Sequence, residues 1–184
     1  MEFRATPIAG VTVIVPRRHE DERGFFAETF QAERFAAAGL PNRFVQFNVA
    51  RSKRGVLRGL HYQFPNPQGK LVTCQTGRIY DVAVDLRRGS PTYGKWFGIE
   101  LSADTGWQLY VPVGCAHGYV VLSEQSDVTY AVTALYEPKG QLGLAWDDPA
   151  LGIPWPVSAP LLSEKDRHWP RLAEFDSPFQ ANGL

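Results

Sequence analysis

Cysteine is nearly missing from this sequence: Cys74 and Cys115 are the only two, and they form no CxxC pair. That spacing excludes a disulfide framework and a zinc knuckle, and it predicts two buried free thiols. Net charge is missing too, since nineteen Lys and Arg balance nineteen Asp and Glu. No general positive field exists to condense on nucleic acid or an anionic membrane, so an anionic ligand must be held by a local cluster. Nor is there a long hydrophobic run. The longest early one, 11–15, is followed by Arg17 and Arg18 and is too short for a membrane span or a signal-peptide core. The expectation is a cytoplasmic protein without membrane or nucleic-acid partners. Low-complexity tracts are likewise absent, and 44% hydrophobic with 21% charged residues is a globular composition. At 184 residues, one domain covering 1–184 is expected.

What the sequence does contain is punctuation. Seventeen Gly and fourteen Pro cut it into short segments rich in Val, Thr, Tyr and Phe. Strands are predicted at 11–15, 25–30, 44–50, 71–75, 79–86, 96–101, 107–111, 119–122 and 128–135. One helix is predicted over 31–38, where Glu33, Arg34 and several Ala favour helix, Gly39 supplies a left-handed end and Pro41 stops it. After Asp147 the chain turns Pro-rich and reads as an irregular segment wrapping the body. The fold class is therefore all-β, a sandwich or barrel with a short helix. Its natural pocket is the inner face of the more curved sheet.

Four His occur, at 19, 61, 117 and 168. His117 closes the series Gly106-x5-Pro112-x-Gly114-x2-His117, the spacing of the second motif of cupin-type jelly rolls, in which a Pro-x-Gly turn aims the His into the barrel mouth. His61 lies in Gly55-Val-Leu-Arg58-Gly-Leu-His61-Tyr-Gln63, where metal-binding cupins carry His-x-His. Here position 63 is Gln and the next charge is Lys70. A divalent metal needs three or four N, O or S ligands and no opposing cation, so no metal is expected. Two His, an Arg and a Lys instead describe an anion site with a general base.

The stretches Asp21-Glu-Arg23-Gly24-Phe-Phe26-Ala-Glu28, Gly55 to Gln63, Lys70-Leu-Val-Thr-Cys-Gln-Thr-Gly77, Asp81-Val-Ala-Val-Asp85-Leu-Arg87, Ser90-Pro-Thr-Tyr-Gly94, Pro112-Val-Gly-Cys-Ala-His117 and Leu162-Ser-Glu-Lys165-Asp166 together resemble the dTDP-4-dehydrorhamnose 3,5-epimerase family. The resemblance implies a cupin-like jelly roll. It also implies cofactor-free epimerisation at C3 and C5 of a 4-keto-6-deoxyhexose carried on dTDP. A hydrogen beside a ketone is acidic only through its enolate, so the site needs a base, a donor at the enolate oxygen and an acid on the opposite face. On the family's pattern His61 is the base, Asp166 fixes its tautomer, Lys70 stabilises the enolate and Tyr130 returns the proton. Arg23, Arg58, Gln46 and Asn48 match positions holding the diphosphate and neighbouring groups, and Glu28, His117 and Lys165 match further substrate contacts. Tyr136 matches the residue that stacks on thymine.

The resemblance further implies a homodimer whose N-terminal strands cross to the neighbour, so that Arg23 and Glu28 complete the partner's site. Two positions depart from the pattern: Ala131 stands where Lys is usual, and Gln141 where an acidic residue contacts substrate. Competing readings are an epimerase acting at C3 or C5 alone, a silent sugar-nucleotide binding module and a metal-dependent cupin oxygenase.

Overall fold

A computed structural model describes residues 1–181. Within them the elements are β1 (Glu2–Ala5), β2 (Thr12–Val15), β3 (Arg18–Asp21), β4 (Gly24–Ala27), α1 (Ala32–Ala37), β5 (Gln46–Lys53), β6 (Leu57–Gln63), β7 (Lys70–Thr76), β8 (Arg78–Asp85), β9 (Trp96–Ser102), β10 (Gln108–Val111), β11 (Cys115–Val121), β12 (Gln125–Val132) and β13 (Gln141–Gly143). Six strands form a first sheet in the order β1-β2-β10-β7-β12-β5, and five a second in the order β13-β6-β11-β8-β9. From β5 to β13 nearly every strand crosses to the sheet opposite its predecessor, the wiring of a jelly roll. The hairpin β3-β4 pairs with neither sheet. Among the described residues no helix is long and apolar enough to cross a membrane.

The two-residue period of a strand decides which side chains meet. In β7, Val72 and Cys74 face inward and pack with Val13, Leu109 and Val128 of their own sheet and Ile79, Ala83, Leu101, Tyr119 and Val121 of the other. Each such aliphatic side chain contributes about 1.5–3 kcal/mol on leaving water. The alternate residue Leu71 faces outward and is covered, with Ile14, Tyr110 and Ala131, by Phe35 of α1. That helix is capped by Gln31, whose side chain accepts from the Arg34 amide at 2.6 Å, and it ends before Gly39 at φ +73°. The outer face of β5 is bare, with Phe47 75% and Val49 70% exposed.

The second sheet's outer face is covered by the Pro-rich segment. Leu144, Leu151, Trp155, Phe175 and Phe179 pack on Leu60, Tyr62, Val82, Val84 and Ala116. The segment is tied down by bridges Val56↔Leu161 and Arg88↔Gln180. Its wrapping course and the buried state of both cysteines match the sequence reading.

Nine strands are legible in the sequence, and β1, β3, β6 and β13 are not. β3 is Arg-His-Glu-Asp, with no apolar alternation to detect. The expected strand 25–30 stops at Ala27, 119–122 begins already at Cys115, and 128–135 is shifted to Gln125–Val132. The omission of β6 matters most. Its ladder with β11 shifts register, from His117↔His61 to Tyr119↔Arg58, so the apolar alternation is broken by a bulge. Gly59 sits there at φ +136°, and a Cβ on it would lie 2.5 Å from the Gly118 Cα. The bulge lets Arg58 and His61, three positions apart, line the same cavity.

Candidate active site

At one end of the sandwich the inward positions turn from apolar to polar, and the sheets part around a cavity of about 320 Å³. The first sheet contributes Asn48 from β5, Lys70 from β7 and Tyr130 from β12. The second contributes Arg58 and His61 from β6 and His117 and Tyr119 from β11, while Tyr136, Gln141, Ser163, Lys165 and Asp166 form the rim. Ten of the residues singled out in the sequence thus share one space. Gln46 stands one bond outside it, donating to Asn48 Oδ1 at 2.8 Å and accepting the Tyr136 amide at 2.9 Å. Arg23 and Glu28 do not reach it within this chain. Arg23 lies exposed on the β3-β4 hairpin, paired with Asp21, and Glu28 pairs with Arg34 of α1 at 3.1 Å.

His61 Nε2 lies 2.6 Å from Asp166 Oδ1, which also accepts from the Trp169 indole at 3.1 Å. Burial alone would raise the Asp166 carboxyl, but hydrogen bonds from His61, Trp169 and Ser163 hold it below its ordinary value. Burial lowers His61 below its ordinary 6.5; Asp166 opposes this, and Lys70 and Lys165 add to it. At neutral pH the imidazole is therefore uncharged, donating Nε2–H to the carboxylate and leaving Nδ1 with a free lone pair, the state of a general base.

Lys70 crosses from the first sheet to donate to the His61 carbonyl at 3.2 Å. Burial pushes its ammonium down to about 8, with the carboxylate of Asp81 pulling the other way. Tyr130 is pushed up by burial, against the pull of Arg58, so its phenol keeps its proton at neutral pH. One wall thus carries a base and the opposite wall a cation and an acid. That arrangement can deprotonate a carbon acid, stabilise the oxyanion and reprotonate from the other face.

Sequence reasoning missed Asp81, which is fully buried and holds His117 Nε2 at 2.7 Å. The two His–Asp pairs are cross-strand neighbours, His117 standing opposite His61. The signal lay in Asp81-Val-Ala-Val-Asp85, two acids four residues apart on the face of β8 that also carries Ala83, where an unpaired carboxylate is costly. Tyr119, Gln63, Gln68 and Ser163 were also missed as lining. Gln63 is structural: its amide donates to the carbonyls of Asn66 and Leu135 and accepts the Glu137 N–H. Among the described residues no group of three His, Cys, Asp or Glu comes together in metal-holding geometry.

A family model described as dTDP-4-dehydrorhamnose 3,5-epimerase matches residues 5–174. The dTDP-4-dehydrorhamnose 3,5-epimerase of Pseudomonas aeruginosa is 50% identical over 178 residues, 95% of this chain and 98% of its own length. That of Methanothermobacter thermautotrophicus is 49% identical over 178 residues, 94% of this chain and 96% of its own. Among solved structures, the dTDP-6-deoxy-D-glucose-3,5-epimerase of Legionella pneumophila in complex with dTDP-4-keto-L-rhamnose superposes with a TM-score of 0.91 at 45% identity, over 95% of this chain and 94% of its own.

The depressed Lys70 has a measurable consequence for folding. Between about 8 and the ordinary 10.5 the unfolded chain binds a proton that the folded chain does not, so stability rises with pH across that window. Lys70→Met is expected to be more stable than wild type at pH 7 in denaturant titrations, with the gain shrinking from pH 8 to pH 10. A gain that does not change with pH would show that the ammonium is not destabilised by burial.

Proposed function

The chain belongs to the dTDP-4-dehydrorhamnose 3,5-epimerase family, and on that premise we propose how its cavity inverts two carbons of a 4-keto sugar. The protein is an isomerase that converts dTDP-4-dehydro-6-deoxy-D-glucose to dTDP-4-dehydro-L-rhamnose. The observation that carries the assignment of roles is the facing of His61–Asp166 on one sheet by Tyr130 and Lys70 on the other. His61 Nδ1 takes the proton at C5 or C3, and the positive charge it acquires is stabilised by Asp166. The enolate oxygen at C4 is met by the Lys70 ammonium. Tyr130 delivers a proton from the opposite side, so each cycle inverts the carbon. No redox step occurs and no cofactor is required.

Arg58 and Asn48 hold the diphosphate and neighbouring groups, His117 and Lys165 make further substrate contacts, and Tyr136 stacks on the thymine. Arg23 and Glu28 act from a second copy. This rests on the self-paired hairpin β3-β4, with Phe25 58% and Phe26 72% exposed, and on the bare face of Phe47 and Val49. β1 and β2 pair within their own sheet, which favours the hairpin β3-β4 as the part of the N-terminal strands that is exchanged. We read residues 1–184 as a single catalytic domain working in the cytoplasm as a homodimer.

Proton NMR of dTDP-4-keto-6-deoxyglucose in D2O tests the reaction. Deuterium should enter both C3 and C5. The kcat/KM profile should fall on the acid side, lower than the ordinary imidazole range, as His61 protonates, and again above about 8 as Lys70 loses its proton. His61→Ala and Tyr130→Phe should each lose roughly 10²- to 10⁴-fold in turnover with dTDP affinity retained. Exchange at neither carbon overturns the reading, and exchange at one alone makes the protein a mono-epimerase.

Light scattering tests the assembly. Wild type should be a dimer, and Phe47→Asp should shift it to monomer with weakened dTDP binding. A monomeric wild type that binds dTDP fully overturns the exchanged hairpin.

A further inference from the structure

At the mouth of the cavity two donors converge on one atom. Gln141 Oε1 accepts from Lys165 Nζ at 2.6 Å and from the Tyr136 hydroxyl at 2.9 Å. A carboxamide oxygen has two lone pairs, so both are used and the amide orientation is fixed. Its Nε2 group carries two N–H donors and makes no bond to protein among the described residues. Lys165 is the residue before Asp166 on the turn Lys165–Arg167, so this contact also anchors the segment that carries the partner of His61.

The charge at this node is unbalanced. Among the described residues Lys165 has no carboxylate partner. Asp166 is engaged by His61 and Trp169, Glu164 by His168 and Arg167, and Glu137 by Asn66. A Gln holds the ammonium in place through a hydrogen bond where a Glu would hold it through an ion pair, and so leaves its field intact.

We propose that Gln141 is a specificity-determining residue: its neutral carboxamide pins Lys165 at the cavity mouth without cancelling its charge, so that an anionic sugar nucleotide meets a third cation beside Arg58 and Lys70. The rim it builds is made of donors, Gln141 Nε2 and the remaining Lys165 N–H groups, and it selects ligands that present oxygen acceptors there. The inference rests on the cavity being a sugar-nucleotide site. It also reaches the base. His61 is faced by Asp166 and Lys165 from the turn, Lys70 from β7, His117 from β11, Tyr130 from β12 and Arg58 from its own strand. Burial is the main cause that keeps His61 unprotonated, and a negative charge set against Lys165 removes part of the positive field that adds to it.

Two variants separate charge from shape. Gln141→Glu keeps the outline and adds a negative charge, whereas Gln141→Met keeps the outline and charge balance but removes the acceptor. Calorimetry with dTDP should show Gln141→Glu binding about tenfold more weakly, with a reduced salt dependence, and Gln141→Met only about two- to threefold more weakly. The acid limb of kcat/KM should move to higher pH by roughly half a unit in Gln141→Glu and stay in place in Gln141→Met. Equal losses in both variants with an unmoved limb would reduce Gln141 to a prop and overturn the proposal, as would wild-type affinity in Gln141→Glu. Thermal melts check that both variants fold. The affinity arm needs no turnover, so a protein that follows this pattern yet leaves the sugar hydrogens in place would sink the epimerase assignment and not the charge argument.

Discussion

A carboxylate taken out of water must be paired, and the pairing of Asp166 with His61 is the contact on which the rest of this structure turns. The two residues are separated by 105 positions, one in the bulged strand β6 and the other in the wrapping C-terminal segment. The segment buries Leu151, Trp155, Phe175 and Phe179 against the second sheet, and that apolar packing delivers Asp166 to the rim. The contact fixes more than position. By accepting Nε2–H the carboxylate selects the tautomer whose Nδ1 is bare, and by its charge it stabilises the imidazolium formed when that nitrogen takes a proton.

The sandwich is two structures in one. At its closed end the inner faces interdigitate as Val72, Leu109, Val121 and Val128; at the open end the same pleat presents Asn48, Lys70, Tyr130, His61 and His117. Burying a lysine ammonium costs free energy, and Lys70 shows that cost in its depressed proton affinity. The apolar end, α1 and the Pro-rich wrap supply the stability that lets the polar end carry such groups. On the proposed roles such a site is poised: an arriving diphosphate and a developing enolate would both supply the negative charge that Lys70, Arg58 and Lys165 lack.

The parts legible in the sequence are those where one local rule acts alone. Gln31, Gly39 and Pro41 frame a helix that forms where they say, and Pro112-x-Gly114 turns the chain from β10 into β11, which carries His117. β6 escaped because a register shift breaks the alternation that identifies strands, and that same shift gives Arg58 and His61 a common cavity. Asp81 escaped because a buried acid looks like any other until its partner is known, and its partner is three strands later in the chain. Resemblance to a family supplied His61, Asp166, Lys70 and Tyr130 together; composition and periodicity brought only the His and the basic residues to notice. Arg23 and Glu28 lie outside the cavity of their own chain, paired instead with Asp21 and Arg34.

The most direct test of this account is the protonation state of one ring. Nitrogen-15 NMR of His61 at pH 7 in the ligand-free protein should show a neutral imidazole protonated at Nε2, with an unprotonated Nδ1 shift, and Asp166→Asn should redistribute that signal towards the other tautomer. A charged ring at pH 7, an Nδ1–H tautomer, or a signal indifferent to Asp166→Asn would contradict it.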